Sequence, residues 1–312
     1  MLCLSNTDVE DVLDLDAAIA VTDRLYRDYA AGTASWLPPK NLVAAQHTLR
    51  VAGGAVGSLD GLGVRAGFFG GANFVMLYGD SGADLLCVMA YPFSRLRTAG
   101  LMGLVTRQFA RPDATQVAMI GSGKNAVGYL QAACSLRGVE VVRVYSRDPE
   151  HRRDFAERVE KLTGTTVSPV ASPQEATAGA DIVYVSTNSK TPALSATDIA
   201  PGTFVASMGQ ARELDASVYL AADDTVISYK PSDRDHLDRH SQLLELVAAG
   251  ERDWDRDVHT LGNVLAGVEP VVPGPDTITL FRDFQTGFGD IALALAAYHE
   301  CMARGRGVHV EL

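Results

Sequence analysis

Residues 117–133 read VAMIGSGKNAVGYLQAA, an apolar run that ends in Gly121, with a second glycine at 123 and a small residue at Ala126. The first glycine permits a tight turn, the second lets backbone approach a pyrophosphate, and the small third residue lets a helix pack closely on its strand. A helix that begins here offers unbonded N–H groups and partial positive charge to phosphate oxygens. Gly121, Ser122, Gly123, Lys124, Asn125 and Ala126 are therefore candidate contacts of a dinucleotide. The plainer alternative is a glycine-rich turn in an α/β domain without a cofactor.

The end of the following strand chooses between dinucleotides. An acid there would bond the ribose 2′-hydroxyl of NAD. This chain has VYSRDPEHRR, with Ser146 and Arg147 at that point and Arg152 and Arg153 one turn on. Arginine makes charge-assisted, often bidentate bonds to phosphate, which favours NADP. NAD stays open, because Asp148 would face the ribose if the turn ran one residue longer, and Arg147 also reads as a solvated turn residue. Two further strand ends belong to the same cleft. Thr187, Asn188 and Ser189 follow DIVYV, and Ser207, Met208 and Gly209 follow GTFVA, where they would flank the nicotinamide.

The elements that must hold these residues alternate. QVAMIGSG, VEVVRVYSRD, TTVSPV, DIVYVSTNS, GTFVASMGQ and DTVISYK read as strands, with helical stretches between the first four. Such alternation argues for a doubly wound parallel sheet over about 115–270. Before it, residues 5–32 show helical spacing with Asp8 or Asp16 as cap and Gly32 as terminator, and WLPPK breaks the chain. Residues 48–91 read as short strands split by glycine and aspartate turns, an antiparallel sheet. Residues 94–110 form a helix closed by Arg111-Pro112, and residues 289–307 form a long helix.

Bulk properties exclude several classes. The chain has 312 residues, 47% hydrophobic and 21% charged, which suits one large or two ordinary globular domains. A net charge of −11 makes nucleic acid and membrane poor partners. The N-terminus carries early acids and no basic region, unlike a signal peptide, and a cytoplasmic location is expected. Cys3, Cys87, Cys134 and Cys301 are scattered, without a CxxC, and the seven histidines form no paired motif, so no metal site is expected.

Several segments, taken together and in order, resemble the ornithine cyclodeaminase/mu-crystallin family: LGVRAGFF, SRLRTAG, ARPDATQVAMIGSG, VYSRDPE, GADIVYVSTNS, RELD and HTLGNVLAGVEP with DTITLFRD. The resemblance implies an α/β fold in which a Rossmann-type doubly wound domain is inserted into a second, α+β domain for substrate binding and dimerisation. On this chain the boundaries would be 1–114 for the first part of the substrate domain, 115–275 for the dinucleotide domain and 276–312 for the returning segment. It also implies an NAD(P)-dependent homodimer with a carboxylate-bearing substrate. The family's three carboxylate-binding cations fall on Lys40 in PPK, Arg65 in GVR and Arg97 in LRTA, with Lys40 and Arg65 exchanged in type. Thr98 and Asn73 fall near cofactor-contacting positions, as does Arg97. Gln210 stands where the family has a catalytic aspartate, and Asp283 where a serine is common. A glutamine cannot exchange protons near neutral pH.

Three functions follow. The first is an oxidoreductase acting on a small α-imino or α-amino acid, with Arg65 and Gln210 at the reacting group and Asp283 or a water as proton source. The second is a cyclodeaminase-type lyase using the nicotinamide catalytically. The third is an NADP-dependent binding protein without turnover. A homodimer is also expected from the residues themselves, because the apolar sheet of 48–91 is too small to close on itself.

Overall fold

The computed structural model describes residues 1–44, 46–68, 73–79, 84–230, 241–283 and 287–311. It divides into two compact units, Met1–Leu101 with Gln285–Leu312, and Met102–Phe284. The strands in chain order are β1 (Leu2–Leu4), β2 (Ala34–Ala44), β3 (His47–Val56), β4 (Gly61–Phe68), β5 (Asn73–Gly79), β6 (Leu85–Met89), β7 (Gln116–Ile120), β8 (Val141–Tyr145), β9 (Thr166–Pro169), β10 (Ile182–Val185), β11 (Phe204–Ser207), β12 (Asp224–Ile227), β13 (Val258–Thr260), β14 (Thr279–Arg282) and β15 (Val308–His309).

The first unit holds a sheet in the order β15-β1-β6-β5-β4-β3-β2. Strands β2 to β6 form an antiparallel meander, as expected for 48–91, but β1 joins β6 in parallel, so the sheet is larger and mixed. WLPPK does not break the chain. It lies within β2, an edge strand, and its prolines fall at a register shift between Leu37 and Lys40, where a missing N–H costs no ladder bond. The single helix expected over 5–32 is two. Ser5 and Asp8 form a capping box on Asn6–Glu10, and Asp14, rather than Asp16, caps Leu15–Ala30 by accepting from the Ala17 N–H at 2.8 Å. The last helix, Phe288–Ala303, lies against β3 and β4, and a Cβ on Gly61 would press on Leu295. It ends earlier than expected because Gly305 and Gly307 take positive φ and turn the chain into β15.

The second unit holds a parallel sheet in the order β13-β12-β14-β11-β10-β7-β8-β9. The chain runs outward from β7 through β8 to β9, then restarts at β10 on the other side of β7, so the order reverses between β7 and β10. In open α/β sheets that reversal is where ligands bind, beyond the carboxyl ends of the strands. Both faces of the sheet are covered, and Val117, Ala118, Met119 and Ile120 are all buried. Strand β14 corrects the expected boundary at 275/276. All four of its residues are buried, and it fills the place between β11 and β12, so the sheet reaches Arg282. The division near the first boundary falls inside the helix Ser94–Phe109 instead of at 114/115.

No helix among the described residues is long and apolar enough to cross a membrane. The Asp14 cap offers a local check on the first unit. Asp14→Ala should lower stability by about 1 kcal/mol in urea denaturation. Unchanged stability would show that the helix start is held by other contacts.

Candidate active site

In the second unit the glycine cradle is built by backbone constraint. Gly121 has φ +108°, and a Cβ there would collide with the Ser186 carbonyl oxygen. Its N–H donates to the Tyr145 carbonyl at 2.8 Å, which holds the turn across the ends of β7 and β8. A Cβ on Gly123 would meet nothing within 4 Å, so that face of the turn is open. The helix Ala126–Leu136 starts here with Asn125 as its cap and no side-chain cap bond; the Ala126 N–H turns back to the Gly123 carbonyl at 3.0 Å, and the helix start presents partial positive charge to an anion. Ala126 is fully buried, as close helix packing requires. Lys124 is exposed. These features fit the pyrophosphate of a dinucleotide. Ser122 Oγ lies 2.8 Å from His151 Nδ1, a tie between cradle and neighbouring helix that the sequence did not announce.

At the end of β8, Asp148 serves as a helix cap. Its carboxylate caps the helix Pro149–Thr163, accepting from the Glu150 N–H at 2.9 Å and the His151 N–H at 3.1 Å. Those bonds, from His151 first and then Glu150, hold its carboxyl below the usual carboxylate range. Ser146 Oγ donates to the Asp148 carbonyl at 3.4 Å. Arg147 donates to Asn188 Oδ1 at 3.2 Å. Arg152 holds the turn, donating to the Ser146 carbonyl at 2.7 Å and lying 5.6 Å from the Tyr145 ring centroid. The shallow pocket at this strand end is lined by Arg147, Asp148, Pro149, Glu150 and Arg153.

The remaining strand ends converge on Glu213, which the sequence reading passed over. It is fully buried. Its Oε2 accepts from the Thr187 N–H at 2.8 Å and from Thr187 Oγ1 at 2.9 Å. Its Oε1 accepts from Ser207 Oγ and the Gly209 N–H, each at 2.6 Å, and pairs with Arg282 Nη1 at 3.0 Å. Arg282 is itself fully buried and also donates to the Ser207 hydroxyl and the Gln210 carbonyl. One carboxylate thus ties together the segments that follow β10 and β11 and the end of β14. A Cβ on Gly209 would collide with Glu213, so the glycine is required by close approach. Ser189 joins this turn through the Thr187 hydroxyl at 3.2 Å, and Met208 is buried beside it. Gln210 is exposed, and its backbone carbonyl is what joins the network. Asp283 is buried at the end of β14 and accepts from Ser228 Oγ at 2.5 Å.

The first unit gathers the cations. Arg65 sits on the buried face of β4, in register with Ala52 and Val75, and an isolated charge there would be costly. Asp290 meets it, with Oδ2 at 2.9 Å from Arg65 Nη1. The same carboxylate meets Arg97, with Oδ1 at 2.8 Å from Nε. Arg65 Nη2 also donates to Asn73 Oδ1 at 2.9 Å, so Asn73 stands at the arginine cluster. Thr98 is buried, with its hydroxyl bonded to the Ser94 carbonyl at 2.9 Å. Lys40 is exposed on the edge strand. An acid in the otherwise apolar start of the last helix is the signal that could have pointed to Asp290. The last residue of LGVRAGFF, at position 69, lies outside the described residues. Among the described residues no group of three or more His, Cys, Asp or Glu side chains is placed to hold a metal.

Known proteins share this architecture. The model of the ornithine cyclodeaminase/mu-crystallin family matches residues 70–304. A Delta(1)-pyrroline-2-carboxylate reductase from Bacillus cereus is 27% identical over 246 residues, 77% of this chain and 74% of the relative. The solved Delta(1)-pyrroline-2-carboxylate reductase of Thermococcus litoralis, in complex with NADH and L-proline, superposes with a TM-score of 0.88 at 24% identity, covering 99% of this chain and 100% of that one. The iminosuccinate reductase of Paracoccus denitrificans, in complex with NAD+, gives 0.87 at 22% identity, covering 100% and 99%. These two structural likenesses establish the fold.

The Glu213 network can be broken at one residue. Glu213→Ala leaves Arg282 buried without its carboxylate and should cost about 3–5 kcal/mol in guanidinium denaturation. Wild-type stability in the variant would show that this pair does not hold the strand ends.

Proposed function

The chain belongs to the ornithine cyclodeaminase/mu-crystallin family, and on that premise we propose that it is an NAD(P)-dependent oxidoreductase acting on a small α-imino or α-amino acid. The observation that carries this reading is the pair of arginines, Arg65 and Arg97, gathered on one buried carboxylate in the unit that lacks the glycine cradle. Such guanidiniums suit a substrate carboxylate through charge-assisted hydrogen bonds. Arg65 and Arg97 would orient the substrate, while Lys40 stands exposed on the edge strand, outside the ion pairs of Asp290. Gly121, Ser122, Gly123, Asn125 and Ala126 would hold the cofactor's phosphates, and Thr187, Asn188, Ser189, Ser207, Met208 and Gly209 its nicotinamide end. The nicotinamide supplies or accepts the hydride when bound. Glu213 keeps Thr187, Ser207 and Gly209 in fixed relation, so these positions are set before any ligand arrives. Asp283 or a water would carry the substrate's proton, and Gln210 would act by hydrogen bonding alone.

Gln210 also separates the other readings. A cyclising ammonia lyase needs proton exchange where this chain has an amide, which argues against it. The same substitution is the observation that favours the second reading, a binding protein without turnover. We propose NADP as the preferred cofactor, because two arginines, Arg147 and Arg153, line the pocket at the strand end and one oxygen of Asp148, which lines it with them, is engaged by its own helix. A homodimer is supported by the edge strand β2, which exposes Leu37, Leu42 and Val43, and by exposed Phe68 and Phe74 on neighbouring strands. Four unpaired cysteines suit the reducing cytoplasm.

Three measurements bear on these statements. Delta(1)-pyrroline-2-carboxylate should cause loss of absorbance at the NADPH band without release of ammonia. Ammonia release from ornithine with no net change in that band would identify a lyase, and neither signal with any cyclic imine or amino acid would identify a binder. Arg147→Ala should weaken NADPH binding by roughly 10- to 150-fold and leave NADH binding nearly unchanged, and equal losses would remove Arg147 from phosphate recognition. Light scattering at micromolar concentration should give twice the chain mass, and a monomeric mass would refute the dimer.

A further inference from the structure

We infer that Asp290 is the positioning residue of the anion seat formed by Arg65 and Arg97, and that it tunes this seat to a single carboxylate. The inference rests on the reading that these arginines hold the substrate carboxylate. Asp290 is 1% exposed and stands in the first turn of the helix Phe288–Ala303. Its two oxygens address two different guanidiniums, 2.9 Å from Arg65 Nη1 and 2.8 Å from Arg97 Nε. The two contacts differ in kind. That with Arg65 is an aligned hydrogen bond, whereas Arg97 Nε and Asp290 Oδ1 are close without hydrogen-bond alignment. Arg97 is therefore held by charge and packing.

The residues around Asp290 are shaped to this arrangement. Phe288 anchors the helix start among three rings, with centroids 5.9 Å from Tyr26, 5.4 Å from Tyr29 and 5.9 Å from Trp36. Gly287 has φ +85°, and a Cβ there would lie 3.6 Å from Arg65 Nη1. A Cβ on Gly289 would lie 3.0 Å from Arg97 Cγ, closer than a relaxed contact. The Gly-Phe-Gly-Asp segment thus fits against both arginines, and no bulkier residue at 289 leaves the Arg97 stem undisturbed.

Charge counting gives the specificity. Two guanidiniums supply +2 and Asp290 supplies −1, leaving +1 at the seat. Arg65 is 23% exposed and Arg97 8%, so a ligand carboxylate meets Arg65 from the solvent side. One carboxylate brings the cluster to neutrality. A second would leave excess negative charge in a partly desolvated site, which is unfavourable. The seat therefore takes monocarboxylates, such as a cyclic imino acid, in preference to dicarboxylates.

The test uses the full-length protein, calorimetric titration at fixed ionic strength, and two probes that cannot be reduced by NADPH under these conditions, pyrrole-2-carboxylate and pyrrole-2,5-dicarboxylate. Asp290→Asn keeps the shape and removes the charge, and it should shift the ratio of the two affinities toward the dicarboxylate by about tenfold. Asp290→Glu keeps the charge on a longer arm, and it should weaken both probes without changing their ratio. A purely structural role would lower stability and leave the ratio alone in both variants. Gly289→Ala guards against a misfolded Asp290→Asn. It adds a helix former but presses on Arg97, so pyrrole-2-carboxylate should bind several-fold more weakly with no fall in melting temperature. An unaltered ratio in folded Asp290→Asn overturns the inference, as does wild-type affinity in Gly289→Ala if Asp290→Asn does not fold. Wild-type probe binding in both Arg65→Ala and Arg97→Ala would instead remove the seat itself, and the oxidoreductase assignment would lose its substrate site.

Discussion

A carboxylate taken out of water must be met by positive charge and hydrogen-bond donors, or it forces the surrounding chain to move. In each unit a buried acid meets that constraint with arginine. Glu213 is buried under Thr187, Ser207, Gly209 and Arg282. Asp290 is buried between Arg65 and Arg97. In each case the acid fixes groups that stand at the proposed ligand sites. These ion pairs explain why the sheets can carry arginines at positions such as Arg65 and Arg282.

The two sites are built by different logic. The cofactor cradle depends on backbone, on Gly121 in a conformation only glycine adopts readily and on a helix start left without a side-chain cap. The proposed seat for a substrate carboxylate rests instead on side-chain charge, two arginines gathered on one carboxylate. The first is tolerant of what the dinucleotide carries beyond its phosphates. At the end of β8, Asp148 caps its own helix through one carboxylate oxygen, and Arg147 and Arg153 line the pocket together with it and Glu150.

Local sequence carried the cradle, the parallel sheet and most strand ends, because a glycine turn between strand and helix and an alternation of elements are short-range patterns. The cap at Asp14 and the break between the first two helices were hidden by a helical spacing that runs through both. The prolines of β2 read as a stop because edge position, which excuses them, is a tertiary fact. Strand β14 is four buried residues that gain their identity only between β11 and β12. Glu213 and Asp290 were hardest to see. Their charged partners lie far away in sequence, Arg282 for one and Arg65 and Arg97 for the other, so no local spacing of charges marks either acid. Lys40 was grouped with Arg65 and Arg97 by resemblance, yet the ion pairs of Asp290 are made by the two arginines, and Lys40 stands exposed on the edge strand.

The central claim is that Arg65 and Arg97, held by Asp290, receive the carboxylate of an imino or amino acid. Its most direct test is a crystal structure of the protein with NADPH and pyrrole-2-carboxylate bound together. The expected density shows the ligand carboxylate bonded to the Arg65 and Arg97 guanidiniums with the Asp290 contacts retained. A carboxylate bound elsewhere, with both arginines still engaged only by the protein, would contradict it.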